Sequence, residues 1–409
     1  MKEFLAYTII RFASVRRTYM PKSLLESAKH RLAILFLFLL CVLEVTFAQN
    51  AGLRGDLVYV GTYSAHGGKG IYAYRFDPSS GRLISLGLAA ESADPSFLVV
   101  SGNGQFLYAV NEIASYQGQP TGAVTAFKIE QDTGKLSELN EVSSRDQGPA
   151  HIALDRTGKW ALVSNYTLGS VAVFPILKDG RLGEASSFVQ HKGSSVNPER
   201  QAGPHAHSTT LSPDDRFAIV ADLGLDELII YPFDKTNGKL GSPHVVKVHP
   251  GAGPRHLTFD PTGRFIYLIN EMQSAIVAYR YEAASGGLTE IQTISTLPKE
   301  FTGKNTDAEI EIDRSGKFLY ASDRGADSIA VFAVDSATGI LQKVEDVATQ
   351  GKTPRNFTID STGKWLLVAN QDSDNIVVFR INDKTGALMA TDQTAQIPSP
   401  VCIVFDPKP

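Results

Sequence analysis

Short apolar runs alternate with polar turns along this chain, and one arrangement of the two returns six times. Each copy has an apolar run, a turn usually spelled Asp-x-Thr/Ser-Gly-Lys/Arg, a second apolar run, and then Asn or Asp. With the residue that opens each turn as the anchor, the copies fall at Ser101, Asp155, Ser212, Asp260, Asp313 and Asp360. Ten positions after each anchor stand Asn111, Asn165, Asp222, Asn270, Asp323 and Asn370. Short apolar runs bounded by Gly- and Asp-containing turns predict β-strands, and two of them around so tight a turn predict an antiparallel hairpin. In the copy around Asp260 a third strand is expected over residues 276–281 and a fourth near 288–294, which makes four antiparallel strands per copy.

A seventh copy is divided between the two ends of the chain. Pro400-Val401-Cys402-Ile403-Val404-Phe405-Asp406 reads as a first run without its second, and Leu57-Val58-Tyr59-Val60-Gly61-Thr62-Tyr63 as a second run without its first. From Ser101 to Asp406 the copies average about 51 residues, a blade-sized period unlike that of helical solenoids. Joining the two ends predicts an all-β, seven-bladed β-propeller over residues 49–409, closed by pairing the N-terminal strands with the C-terminal one.

Composition agrees with many short strands and turns: 43% of residues are hydrophobic, 20% are charged, and there are 35 glycines and 20 prolines. Residues 32–43 form an apolar run preceded by Lys29, His30 and Arg31 and followed by Thr46-Phe47-Ala48-Gln49. The run is shorter than the roughly 20 residues of a membrane span. Residues 1–48 are therefore expected to be a secretory leader cleaved before Gln49, with Met20 as a candidate true start and an uncleaved anchor as the rival reading. A periplasmic or secreted protein without stable membrane insertion follows. Beyond residue 48 acidic groups exceed basic ones by eight, which argues against nucleic acid as a partner. Cys402 is the single cysteine of the mature chain and lies in an apolar run, so a buried thiol is expected. Monomer and dimer are both compatible with this sequence.

In an antiparallel hairpin the start of the first strand lies beside the end of the second, so two positions per copy share one rim. Five before the anchor stand Ser96, Ala150, His207, Arg255, Ala308, Arg355 and Val401; one later stand Phe97, His151, Ser208, His256, Glu309, Asn356 and Cys402. Eleven after it stand Glu112, Tyr166, Leu223, Glu271, Arg324 and Gln371, with Tyr63 from the divided copy. This rim is crowded with ionisable groups. The Asn or Asp ten positions after the anchor is expected instead to make a recurring structural hydrogen bond, and the Lys and Arg of the opposite rim to be solvated turn residues.

The interval from Asp155 to Ser212 is the longest, and the added residues lead into Gly203-Pro204-His205-Ala206-His207-Ser208. A His-x-His pair suits zinc, but no third ligand stands at metal spacing, so neither a metal nor another cofactor is expected. Arg255 and Glu271 are expected to meet on the rim, either as an ion pair that fastens it or as part of a site. Arg324 and Arg355 extend the basic arc, with Glu309 between them, and guanidinium groups match carboxylate or phosphate.

Tyr59-Val60-Gly61-Thr62-Tyr63, Gly203-Pro204-His205-Ala206-His207-Ser208, Gly253-Pro254-Arg255-His256, Asn270-Glu271 and the closing Pro400–Phe405 segment together resemble the seven-bladed propeller lactonases. That family includes bacterial 6-phosphogluconolactonases and fungal carboxymuconate cycloisomerases. The resemblance covers about residues 56–406 and implies catalytic roles for His207, Arg255, Glu271 and Arg324. His205, His151, Tyr166, Glu309 and Arg355 are the expected substrate-binding residues, and the expected partner is a small-molecule lactone. The leading expectation is hydrolysis of a sugar-acid lactone such as 6-phospho-D-glucono-1,5-lactone, with His207 or Glu271 as base. Two rivals remain: a lactonising cycloisomerase of the carboxymuconate type, and a secreted binding module whose only apolar hint on this rim is Leu223 beside Tyr166.

Overall fold

The computed structural model describes residues 55–407. The expected leader, its candidate start at Met20 and its expected cleavage before Gln49 lie outside the described residues. Seven antiparallel sheets follow one another as blades. The first is assembled from both ends of the chain in the order Pro400–Phe405, Asp56–Thr62, Gly70–Asp77, Arg82–Glu91. In it Val60 pairs with Ile403 and Gly61 with Cys402, so the divided copy closes the ring as the repeat predicts. Blades 2 to 7 follow in chain order. Blade 4 departs from four strands, because its outer strand is split into Lys239–Leu240 and His244–Lys247, both paired with Glu227–Asp234.

Seven apolar clusters fill the seven junctions between neighbouring blades. Between blades 4 and 5, for example, Phe217, Ile219 and Leu228 meet Leu257, Ile266 and Leu268. A middle strand such as Phe265–Asn270 is buried along its whole length because a neighbouring blade covers each face. Along the peripheral Leu388–Gln396 only Leu388 is buried, and from Ala390 on half-buried positions alternate with exposed ones. The first strand of each blade touches the first strands on either side and so lines the central axis. Cys402 is buried there, its sulfur accepting from the Leu98 N–H, and burial pushes the thiol up to about 12.

The repeated turn has a direct physical cause. Asp260 Oδ1 accepts from the N–H groups of Arg264 and Phe265, each at 2.7 Å, and Oδ2 accepts from the Thr262 N–H at 3.0 Å and from its hydroxyl. Asp155, Asp313 and Asp360 repeat the arrangement. Gly263 follows at φ +70°, a conformation that disfavours other residues. One carboxylate thus satisfies the backbone of a whole turn, which explains why Asp-x-Thr/Ser-Gly recurs.

The residue ten after the anchor ties a blade to the segment arriving from the previous one. Asn111 donates to Ala93 O at 2.7 Å, Asn165 to Ser144 O at 3.0 Å and Asn370 to Thr349 O at 3.2 Å. Asp222 and Asp323 accept from the equivalent segments, through His205 N and Thr296 Oγ1. Asn270 is the exception: its buried side-chain amide has no partner among the described residues.

Candidate active site

The rim that gathers the ionisable residues is built from β-bulges. In six blades the strand register shifts at the entry to the first strand. In blade 5 Pro254 pairs with Asn270 and His256 with Ile269, so Arg255 has no cross-strand partner. His207 in blade 4 and Arg355 in blade 7 occupy the same unpaired place. A bulge re-aims the side chain it carries, and its repetition in blades 4, 5 and 7 directs His207, Arg255 and Arg355 to one locus. Arg255 and Glu271 therefore meet, but through the bulge rather than as a register pair.

Glu271 is the centre of the charged cluster. Its Oε2 lies 2.9 Å from Arg324 Nη2 and 3.2 Å from Arg255 Nε, and its Oε1 lies 2.6 Å from Arg200 Nη2. Burial alone would raise its pKa, but Arg324, Arg255 and Arg200 hold the carboxyl at about 2. Arg255 is 2% exposed, and burial together with Arg324 and Arg355 disfavours its charge. A guanidinium nevertheless stays protonated in proteins. Its Nη1 donates to Ala308 O. Arg324 Nη2 also donates to Asp307 O at 3.0 Å. Arg355 Nη2 donates to the Tyr63 hydroxyl at 2.8 Å, which in turn donates to Glu112 Oε2 at 2.7 Å. Four arginines thus stand around two carboxylates, and the locus attracts anions.

Beside them lies a layer of imidazoles and aromatic rings. His205 stacks on Tyr166 with ring centroids 4.7 Å apart, and its Nδ1 lies 2.8 Å from Tyr166 O. His207 meets Tyr166 edge-on at 5.4 Å and His256 at 5.1 Å. His256 in turn meets His151 at 5.4 Å, and Phe97 packs on both. The His-x-His pair therefore diverges around Tyr166. Burial, Arg255 and His256, then Arg355 and Arg324, hold His207 well below the usual histidine pKa, so its imidazole is neutral at neutral pH. Glu309 is buried, with its oxygens bonded to His256 Nδ1, Asn356 Nδ2 and the Ile310 N–H.

This arrangement can bind an anion and hold a neutral buried imidazole beside it. Comparison with known proteins assigns it to a family. The description "Lactonase, 7-bladed beta-propeller" matches residues 57–405. The chain belongs to the seven-bladed propeller lactonase family. It is 35% identical over 347 residues to a 6-phosphogluconolactonase of Bacillus subtilis, a match covering 85% of this chain and 97% of that one. A 6-phosphogluconolactonase of Formosa agariphila is 35% identical, over 73% of this chain and 85% of its own. Among solved structures, the periplasmic gluconolactonase of Pseudomonas aeruginosa superposes with a TM-score of 0.81 at 32% identity, over 86% of this chain and 98% of that one.

Within this lactonase fold all nine site residues named from the sequence fall into the two neighbouring clusters. Four participants were not among them. Tyr63, Glu112 and His256 occupy positions that the repeat placed on the rim, but without an assigned role. Arg200 lies off the repeat altogether, in the long interval between blades 3 and 4. That interval is pinned by His191 Nδ1 to Asp222 Oδ2 at 2.6 Å, Ser195 to Asp226, and Gln201 Nε2 to Leu223 O at 2.8 Å. From this arm Arg200 donates to the Tyr166 hydroxyl at 3.2 Å and reaches Glu271 in blade 5. The interval's length was its only signal. Leu223, by contrast, is fully buried and adds nothing to an exposed apolar patch. Among the described residues no group of three or more His, Cys, Asp or Glu is placed to hold a metal, and no helix is long and apolar enough to cross a membrane.

Proposed function

We propose that the protein hydrolyses a sugar-acid lactone, with 6-phospho-D-glucono-1,5-lactone as substrate. Water attacks the ester carbonyl, the bond from that carbon to the ring oxygen breaks, and the ring oxygen leaves as a hydroxyl of the open-chain acid. His207 takes the proton of the attacking water and returns it to the departing oxygen. Arg255 and Arg324 stabilise the oxyanion, while Arg200 and Arg355 meet the phosphate. One observation carries the choice of base: both oxygens of Glu271 are taken by three guanidinium groups, whereas the buried, neutral His207 keeps a ring nitrogen without a partner. A carboxylate so stabilised is a poor proton acceptor. Glu271 serves instead to fix the guanidinium groups in place before substrate arrives. The apolar leader run and the likeness to a periplasmic gluconolactonase support action outside the cytoplasm.

Two measurements follow. Acid release from 6-phosphogluconolactone and from glucono-1,5-lactone should both exceed the spontaneous rate, with the lower KM for the phosphorylated substrate. Equal KM values would remove the phosphate from recognition. The pH profile should also carry the mark of a depressed imidazole. Protonation of His207 abolishes a general base, and its folded pKa lies well below 6.5. Enzymatic kcat/KM is therefore expected to stay level from pH 8 down through 6.5 and to fall only at lower pH. An inflection at 6.5 or above would exclude His207 as the base.

A further inference from the structure

Below the arginines, side chains of successive blades form a chain of hydrogen bonds around the axis, and its polarity can be read from one fixed end. The Ile403 N–H of blade 1 donates to Asn356 Oδ1 of blade 7 at 2.7 Å. A backbone amide can only donate, so this contact fixes the Asn356 side chain with its Nδ2 turned to Glu309 of blade 6. Glu309 accepts from Asn356 Nδ2 and also from the Ile310 N–H at 3.0 Å. His256 of blade 5 presents Nδ1 to the same carboxyl at 2.9 Å. Donors converging on one carboxyl favour its ionised form. Glu311, two residues along the strand, is pushed up to about 8 by burial and by Glu309, so the negative charge of this pair resides on Glu309 near neutral pH.

An ionised Glu309 requires the proton of neutral His256 to sit on Nδ1. Its Nε2 is then a lone pair, and that atom is buried without a partner. The next ring in the chain is His207, 5.1 Å away and inclined at 71°, whose Nδ1 is also buried without a partner. Two unsatisfied imidazole nitrogens on touching rings cost free energy unless they serve each other. We propose that Glu309 and His256 form a positioning pair that holds His207 as its Nδ1-protonated tautomer, a small turn of the two touching rings bringing its Nδ1–H onto His256 Nε2. Nε2 of His207 is thereby the free base. The inference rests on the reading of His207 as the general base, and it gives Glu309 a role distinct from substrate contact. A carboxylate orienting an imidazole by its Nδ1–H is the logic of a catalytic triad, extended here by one further ring.

The test reads the tautomer directly. Protein labelled with ¹⁵N-histidine is examined by long-range ¹H–¹⁵N correlation, and His207 is assigned by the signals lost in His207→Gln. Wild type should show a protonated Nδ1 and an unprotonated Nε2 at His207. Glu309→Gln, and independently His256→Gln, should shift His207 toward the Nε2-protonated form. Each should also lower kcat by at least about 10-fold with little change in KM, since general-base catalysis is worth roughly 10²–10⁴-fold. An Nε2-protonated His207 in the wild type, or a tautomer unmoved in both variants, would overturn the proposal. The spectrum needs no turnover, so failure of the relay and failure of the lactonase reading give separate results.

Discussion

Arg255→Ala is expected to lower kcat for lactone opening by about 10²–10³-fold, the usual loss when one oxyanion-stabilising group is removed. Arg255 suits this role because it is directed by a bulge rather than by a rotamer alone, and because Ala308 O and Glu271 hold it on two sides. It is also nearly inaccessible to solvent, so its charge acts at low dielectric, where each ångström counts for more. Arg255→Lys keeps the charge but not the planar fork and should fall between alanine and wild type. Single-turnover kinetics and circular dichroism would separate a catalytic loss from a folding one. A kcat within a few-fold of wild type would remove Arg255 from the chemistry.

Glu271→Gln should damage both stability and activity. One carboxylate faces Arg255, Arg324 and Arg200, and neutralising it leaves three guanidinium groups in mutual repulsion at a largely buried place. Breaking a buried ion pair typically costs roughly 3–5 kcal/mol. Its pH dependence has a definite sign. The folded-state pKa, at about 2, lies below the ordinary 4.5, so the stabilisation is fully present above pH 4.5 and is lost as pH falls toward 2. Denaturant titrations of wild type and Glu271→Gln should therefore differ most near neutral pH and converge in acid. A constant difference across that range would show that Glu271 acts by shape and not by charge.

The sequence carried the ring closely because the repeat is maintained by local chemistry. Each Asp-x-Thr/Ser-Gly turn satisfies its own backbone, and each Asn111-type residue fastens its own connecting segment, so these residues recur with the blades. The closing blade was legible for the same reason, as two halves of one pattern. What the repeat did not show was set by contacts between copies. Arg200 reaches Glu271 from an arm that has no counterpart in the other blades, and no period marks it. The bulge at Arg255 changes one pairing without changing the spacing of anchor residues. His256 and Glu309 stood at predicted rim positions, yet their partnership joins blades 5 and 6 and depends on how the ring closes. Leu223 reads as exposed only while the arm that covers it, through Gln201, is left out.

The most direct test of the account is acid release from 6-phosphogluconolactone by the chain from Gln49 onward, measured beside His207→Ala with the spontaneous rate subtracted. The account predicts clear acceleration by the wild type and a loss of about 10²-fold or more in the variant. No acceleration by the wild type, or equal rates for the two proteins, would contradict it.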